Sequence, residues 1–535
     1  MTIVWNAQRV STGLNEIEQA RAIVFSRVKQ ILDEYHGVVR TARYYDILLG
    51  DFIERYLHLV YVATQDIADD PSKHNQQGQT ATVLEKIQVE VFRDTLEFFS
   101  AYTKLPSITL PTLRALTNFG PTSISISSSP LVICNSGLSG RRDKLVGKFL
   151  KAIAKQPSLK VLFVKPFSGR VPFSWVGAMI LWRSWAKHDD LNFKYSVNVL
   201  PDSAWRQRNI SQITKDSSLA EVSCALLGVF LPAAVAEGFS AIRAKVLLAR
   251  PNRPAHIYSS QSLWTHLEFK VLAAEWCELG TKLSYHQHGG WYGLDELHVL
   301  EEYESRVSDN FYTWGWSRSG KSTRPLPPPI PRQRNQNKTQ DSLICFDQPQ
   351  QIYRLQYFPL VGTLQTMYDQ VAEFIKLRNS KTQLKIRLFP GDYGTAQRDA
   401  ILAASPDAKF GNSEDIFKQY SGSRIVVHSY LGTSWLETIG INIPTICFYD
   451  PDAYKFRPDA RLLIEELTRV GILHTSGGSA AMLANKIDGD VAKWWLSIEV
   501  QSARTNFAEK FANFSPDWKN QWQQEFSRLL NSQSR

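Results

Sequence analysis

The chain has 535 residues, too many for one core, so two to four domains are expected at about 150 residues each. An apolar share of 43% and a charged share of 21% suit a soluble globular protein. The longest apolar stretch, 222–236, contains Pro232 and falls short of the ~20 residues that span a bilayer. The net charge of +10 favours an anionic partner such as a nucleotide, an acidic sugar, a phospholipid surface or a nucleic acid. The basic clusters at 141–144 and 318–338 are too short for a nucleic-acid arm. The five cysteines (Cys134, Cys224, Cys277, Cys345, Cys447) make neither a CxxC pair nor a zinc pattern. They read as buried free thiols in a reducing compartment. The first residues show no basic segment followed by an apolar one, so no secretory signal is expected. A cytoplasmic protein is predicted, with weak association to the inner-membrane surface left open. The 15 Trp, 20 Tyr and 27 Phe are enough to line a sugar cleft as well as to fill cores.

Residues 13–104 read as helical, because apolar positions recur at three- and four-residue spacing around Ile47, Leu48, Phe52, Ile53 and Leu57 and again over 83–99. Proline turns are expected near Pro106 and Pro111. An apolar run at 131–134 then leads into the glycine-containing loop 135–140 and a basic helix, the pattern of a βα unit in a parallel sheet. Further strands are predicted at 160–164, 256–258 and 282–285. A mainly helical region over 1–129 and a first α/β domain over 130–323 follow. The tract 324–340, with Pro325, Pro327, Pro328, Pro329 and Pro331, can be neither helix interior nor central strand and reads as a linker. Beyond it the alternation restarts. Strands are predicted at 342–346, 384–389, 424–428 and 444–448, and helices at 357–377, 435–439 and 458–470, giving a second α/β domain over 341–490. Residues 491–535 are helical and Trp-rich, suited to crossing back onto the other domain. Two such domains place a ligand cleft between the C-terminal ends of their parallel strands.

Two motifs look like traps. Residues 315–322 fit the phosphate-loop pattern GxxxxGK[ST], but Ser322 runs into Thr323, Arg324 and the proline tract, where no helix can start. The triplet Asp450-Pro451-Asp452 could hold a divalent metal on a nucleotide diphosphate, yet Asp and Pro are favoured turn formers.

Three segments carry chemistry. His286-Gln287-His288-Gly289-Gly290 follows an apolar strand, so both histidines are expected on one face of its C-terminal end. Imidazole there can donate to a phosphate or shuttle a proton, and the glycines let backbone approach a ligand. In the second domain a strand ends at His428 and is followed by Ser429, Gly432, Thr433, Ser434 and Glu437. The hydroxyls and amides at this helix start can hold a nucleotide phosphate, and Glu437 can accept from a ribose or base; equally, the hydroxyls can be simple helix caps. Arg387 and Asp392 flank a third strand-end loop, with Arg387 as anion clamp or paired structural arginine.

The elements "SYHQHGGWYG", "VSDNFYTWGW", "IRLFPGDYG" and "HSYLGTSWLETIGINIPTICFYDP", in this order over roughly 230–455, resemble a family of bacterial surface-carbohydrate transferases. More distantly, the Gln-His-Gly element and the Ser/Thr-rich helix start resemble the Kdo transferases of capsule and O-antigen synthesis. That resemblance implies a GT-B-type fold of two Rossmann-like domains, which agrees with the α/β class, the N-terminal helical region and the C-terminal crossing helix read from the pattern above. It implies a glycosyltransferase with a CMP-activated 2-keto sugar acid as donor, a glycan or lipid-linked glycan as acceptor, and no metal or other cofactor. It also implies a carboxylate nucleophile, for which the chain offers Glu237, Glu268 and Asp295; Glu237, after an apolar run, is preferred. His288, helped by His286, would contact the leaving group. The rival readings are a sugar-nucleotide epimerase of the same fold and a nucleic-acid-binding protein, for which no aromatic–basic RNA motif is visible.

Overall fold

In the computed structural model, the predicted β/α alternation folds into two six-stranded parallel sheets. The structure describes residues 7–68, 87–100, 105–135, 160–165, 185–189, 193–296, 298–329, 338–347, 364–389, 396–411 and 415–531, with 178, 180–182 and 191 besides. From edge to edge, the first sheet runs Thr323–Pro325, Asn310–Thr313, Lys282–His286, His256–Ser259, Val161–Phe163 and Ala186–His188. The second runs Lys409–Phe410, Leu384–Arg387, Gln340–Ile344, Ser423–His428, Thr445–Phe448 and Leu473–His474. Central strands such as His256–Ser259 and Thr445–Phe448 are buried at every position, as expected of parallel strands covered on both faces.

The chain order within each sheet locates the ligand crevice. In the second sheet the chain moves outward from Gln340–Ile344 to one edge, then returns to Ser423–His428 and moves to the other. The reversal falls between those two strands, and the crevice of an open α/β sheet opens at such a point, outside the strands' C-terminal ends. In the first sheet the reversal falls between Val161–Phe163 and His256–Ser259.

The helices Ala7–His36 and Ala42–Ala68 form an antiparallel pair joined at Gly37. Val10, Leu14, Ile17, Val24, Val28 and Ile31 line the buried stripe of the first. The second docks on the first sheet's helices through buried charge. Lys270 Nζ lies 2.9 Å from Asp51, and Asp46 and Glu54 share Arg21 and Arg306 at 2.6–3.0 Å. One apolar cluster runs from these helices through one face of the first sheet to Trp435 in the second domain. The opposite face is covered by the C-terminal helix Trp518–Asn531, whose Trp522 and Phe526 pack on Phe163 and Tyr258. The preceding helix Ile498–Phe511 lies on the second domain, with Phe507 against Trp435. The expected crossing is therefore present.

Some local expectations fail. Leu131–Asn135 is not the first strand of the parallel sheet; it pairs antiparallel with Tyr195–Val199 in a separate ribbon. Its loop and basic helix (136–150) lie outside the described residues. The region 13–104 includes a short strand, Ile87–Val89, paired with Ile124–Ile126. Pro106 and Pro111 do not make turns but lie in the helix Leu105–Phe119. Pro106 sits in the first turn, where its missing N–H costs nothing. Ala186–His188, Lys409–Phe410 and Leu473–His474 are edge or near-edge strands of two or three residues, too short to leave a periodic signal. The phosphate-loop pattern ends in the strand Thr323–Pro325 rather than a helix, and Lys321 pairs with Glu302 at 3.0 Å. Asp450-Pro451-Asp452 is a turn in which the Asp450 carboxylate accepts from the Asp452 amide at 3.0 Å.

Candidate active site

The loop after the strand Lys282–His286 is built around Gln287. This side chain is fully buried and uses both ends of its amide. Its oxygen accepts from Trp314 N and Trp316 Nε1, each at 2.9 Å, and its nitrogen donates to Gly289 O at 2.9 Å. A fixed loop results. Four residues after Gln287, Trp291 adopts φ 71°, a left-handed conformation that a bulky residue rarely takes. Its ring packs across the cleft near Phe346, with centroids 6.2 Å apart. Gly293, at φ 73°, has no room for a Cβ, which would meet the Trp316 ring at 2.6 Å.

This loop meets the reversal point of the second sheet. There Ser429, directly after the strand, donates its amide to Ile344 O at 3.1 Å. The helix Thr433–Gly440 then starts behind Gly432, with no side-chain cap on its first turn. Its leading amides therefore retain the partial positive charge that favours an anion. Gly290 N–H donates to Thr433 Oγ1 at 3.0 Å, so the two predicted motifs touch. A small cavity beside them is lined by Met367, Gln370, Ser429, Tyr449, Asp450 and Tyr454.

The remaining site residues divide by environment. His288 keeps 21% of its side chain exposed; its Nδ1 lies 3.2 Å from the Tyr292 hydroxyl and 3.7 Å from Glu304 Oε1. His286 does not share its face. It is fully buried, hydrogen-bonded through Nδ1 to Tyr258 at 2.8 Å and packed on Trp522, and burial pushes it down to about 3. An imidazole held neutral in this way braces the C-terminal helix and cannot shuttle protons near neutral pH. The two histidines diverge because the strand ends at His286 and strict alternation stops there.

In the second domain, Ser434 turns inward to His428 at 3.1 Å and Tyr430 at 2.9 Å, so it serves the core rather than a ligand. Glu437 accepts from Tyr420 at 2.9 Å, and Arg387 donates to Gln419 at 3.1 Å. Asp392 lies outside the described residues.

The preferred nucleophile is not at the cleft. Glu237 forms a two-point pair with Arg206, at 2.6 and 2.8 Å, and also accepts from Asp202 N at 3.0 Å. Arg206 is fully buried, and Glu237 is the counter-charge that burial demands. Glu268 is buried and accepts from Tyr195 at 2.8 Å. Its neighbour His266 meets Lys165 at the reversal point of the first sheet, where burial and Lys165 push the imidazole down to about 3. Asp295 lies at the contact between the domains, hydrogen-bonded to Tyr454, and burial holds its pKa well above the usual carboxylate range.

Sequence reasoning missed Gln287 as the pin of the loop and Glu304 as the carboxyl behind His288. Glu304 was within reach of pattern reading, since Glu301 and Glu304 lie on the buried side of an otherwise amphipathic helix, Val299–Val307. Among the described residues no group of three or more His, Cys, Asp or Glu side chains is arranged to hold a metal, and no helix is long and apolar enough to cross a membrane.

Among solved structures the chain is similar to Acinetobacter baumannii MurG, at 13% identity over 69% of this chain and all of that one, with a TM-score of 0.35. It is also similar to Anabaena Alr3699/HepE, solved with UDP and glucose, at 15% identity over 69% of this chain and all of that one, with a TM-score of 0.37. A mutant of Thermobaculum terrenum O-GlcNAc transferase matches at 11% identity over 97% of this chain and 98% of that one, with a TM-score of 0.35. At these values the likenesses say nothing about substrate. No curated protein matches by sequence. The profile of the LIC12162 family transferases, in contrast, matches residues 3–526, and the chain belongs to that family of transferases.

Proposed function

We propose that the chain is a glycosyltransferase that binds a nucleotide-activated sugar between its two sheets. One observation carries the reading. The Gly289–Gly290 turn of the first domain is seated on the uncapped helix start of the second, at that sheet's reversal point. Membership in a transferase family supports the reaction class. The first-turn amides of Thr433–Gly440 would hold the donor phosphate, and His288 would meet the leaving oxygen from the opposite wall. Arg387 would add positive charge at the neighbouring strand end.

For the donor we favour a CMP-linked 2-keto sugar acid, and for the acceptor a growing bacterial surface glycan, free or lipid-linked. Support comes from the resemblance of Gln287-His288-Gly289 and the Ser429–Thr433 turn to the Kdo transferases, and from the +10 net charge. A single donor phosphate needs no metal.

A thermal-shift screen with CMP, UDP and GDP identifies the nucleotide, because a ligand that binds only the folded state raises the melting temperature. Transfer assays with the matching sugar nucleotides then test the site. His288→Ala is expected to lower turnover by about 100-fold or more. A folded His288→Ala variant with the wild-type rate would sink the proposal. Release of an altered sugar nucleotide without any acceptor would show an epimerase instead.

A further inference from the structure

Behind His288 stands a short buried chain of polar groups. Tyr292 Oη lies 3.2 Å from His288 Nδ1 and 2.8 Å from Glu304 Oε2, while Trp264 Nε1 donates to Glu304 Oε1. Glu304 is fully buried, whereas His288 is partly open to the cleft. At 3.7 Å the imidazole and carboxyl are too far apart for a direct hydrogen bond, so Tyr292 is the link between them.

A tyrosine hydroxyl has one proton, so this chain has two possible directions. If Glu304 is ionised, Tyr292 donates to it and accepts from His288 Nδ1–H, leaving Nε2 bare. If Glu304 carries a proton, it donates to Tyr292, Tyr292 donates to His288 Nδ1, and the imidazole hydrogen sits on Nε2.

The surroundings decide between them. The charged and titratable groups around the chain are Glu301 one turn earlier on the same helix, itself paired with Arg318 and Arg457 at 3.0 and 3.1 Å, the buried Tyr285 and Tyr303, Arg55 stacked on Trp264 at 4.7 Å, and His298 against the Tyr292 ring at 4.4 Å. Burial is the largest influence on Glu304 and Glu301 adds a like charge, and together they outweigh the Trp264 and Tyr292 hydrogen bonds and hold its pKa well above the usual carboxylate range.

We propose that Glu304 is a positioning residue that keeps its proton and, through Tyr292, fixes His288 as the Nε2–H tautomer, so that His288 acts as a hydrogen-bond donor to the ligand rather than as a base. This rests on the reading of His288 as the leaving-group contact. An Nε2–H suits an oxygen that gains negative charge as the sugar departs. It does not suit proton removal from an acceptor hydroxyl, which must fall to another group.

The test uses full-length protein labelled with 15N-histidine. Two-bond 1H–15N spectra near pH 7.5 separate the two tautomers from imidazolium, and His288 is assigned by its loss in His288→Gln. The expected wild-type signal is Nε2–H. It should persist in Glu304→Gln, whose amide can donate to Tyr292 and still accept from Trp264, and should change in Tyr292→Phe. An Nδ1–H or imidazolium signal in the wild type overturns the proposal. These spectra need no substrate, so they stand apart from failure of the glycosyltransferase reading. With a working transfer assay, Glu304→Gln should keep kcat within about threefold and Tyr292→Phe should lose about tenfold or more, mainly in kcat. A folded Glu304→Gln that loses as much kcat as His288→Ala would show that the charge matters rather than the proton, and would overturn it.

Discussion

Gly290 donates its amide to Thr433 Oγ1 at 3.0 Å, and its α-carbon faces the Gly432 carbonyl so closely that a Cβ would sit 2.4 Å from the carbonyl carbon. The neighbour is backbone and cannot swing aside. Gly290→Ala should therefore push the two walls of the cleft apart, destabilising the protein by about 1–3 kcal/mol and weakening nucleotide binding. Thr433→Val keeps the shape but leaves the Gly290 N–H without its acceptor, at about 1–3 kcal/mol. Thr433→Ser should be nearly silent. Chemical unfolding together with nucleotide titration checks all three. Unchanged affinity in a folded Gly290→Ala would mean that the contact does not shape the site.

The two histidines of the loop should respond to pH in different ways. His286 is held down to about 3 from an ordinary 6.5, so between these values the unfolded chain binds a proton that the folded one does not. Its contribution is complete above pH 6.5 and is lost as pH falls towards 3, at about 1.4 kcal/mol per pH unit. Buried Asp295 and Glu304, whose pKa values burial raises above the usual carboxylate range, act with the opposite sign over much of this range. The clean measurement is therefore a difference. The stability of wild type minus that of His286→Phe should fall steadily as the pH is lowered from 6.5. A pH-independent difference would show that His286 titrates normally.

The parallel-sheet architecture was legible because parallel strands buried on both faces leave unbroken apolar runs, such as Thr445–Phe448, and because the prolines after Pro325 interrupt the alternation. The meeting of the two glycine and hydroxyl motifs was legible for the same reason: both follow strand ends. What residue type could not supply was direction. His286 and Ser434 look like ligand groups but turn into the core, and Glu237 looks like a poised carboxylate but neutralises Arg206. Gln287 was hidden because its partners, Trp314 and Trp316, lie 27 and 29 residues away.

That pairing of Glu237 makes a prediction opposite to the one its sequence context suggests. Glu237→Gln should unfold the protein far more readily, by about 3–5 kcal/mol, because it leaves the buried Arg206 guanidinium without a counter-charge. The rate per folded molecule should be unchanged. Replacing both partners, as Arg206→Met with Glu237→Leu, should recover part of the loss. Stability equal to wild type with abolished turnover would return Glu237 to the chemistry.

The C-terminal helix is the least obvious support of the site. Trp522 is fully buried, stacks parallel to Trp182 with centroids 5.9 Å apart, lies 5.6 Å from the His286 ring, and donates Nε1–H to Pro327 O at 2.8 Å. One side chain thus joins the terminal helix to the first sheet, the proline tract and the strand that leads into the Gln287 loop. Trp522→Ala should cost about 3–5 kcal/mol through the cavity it opens. The cavity lies directly behind His286, so loop order should also suffer, with nucleotide affinity falling in molecules that remain folded. Trp522→Phe fills most of the volume but loses the bond to Pro327, and should cost less than the alanine variant. If Trp522→Ala lowers stability while affinity stays at the wild-type value, the helix is a brace for the fold alone and the Gln287 pin suffices to hold the loop.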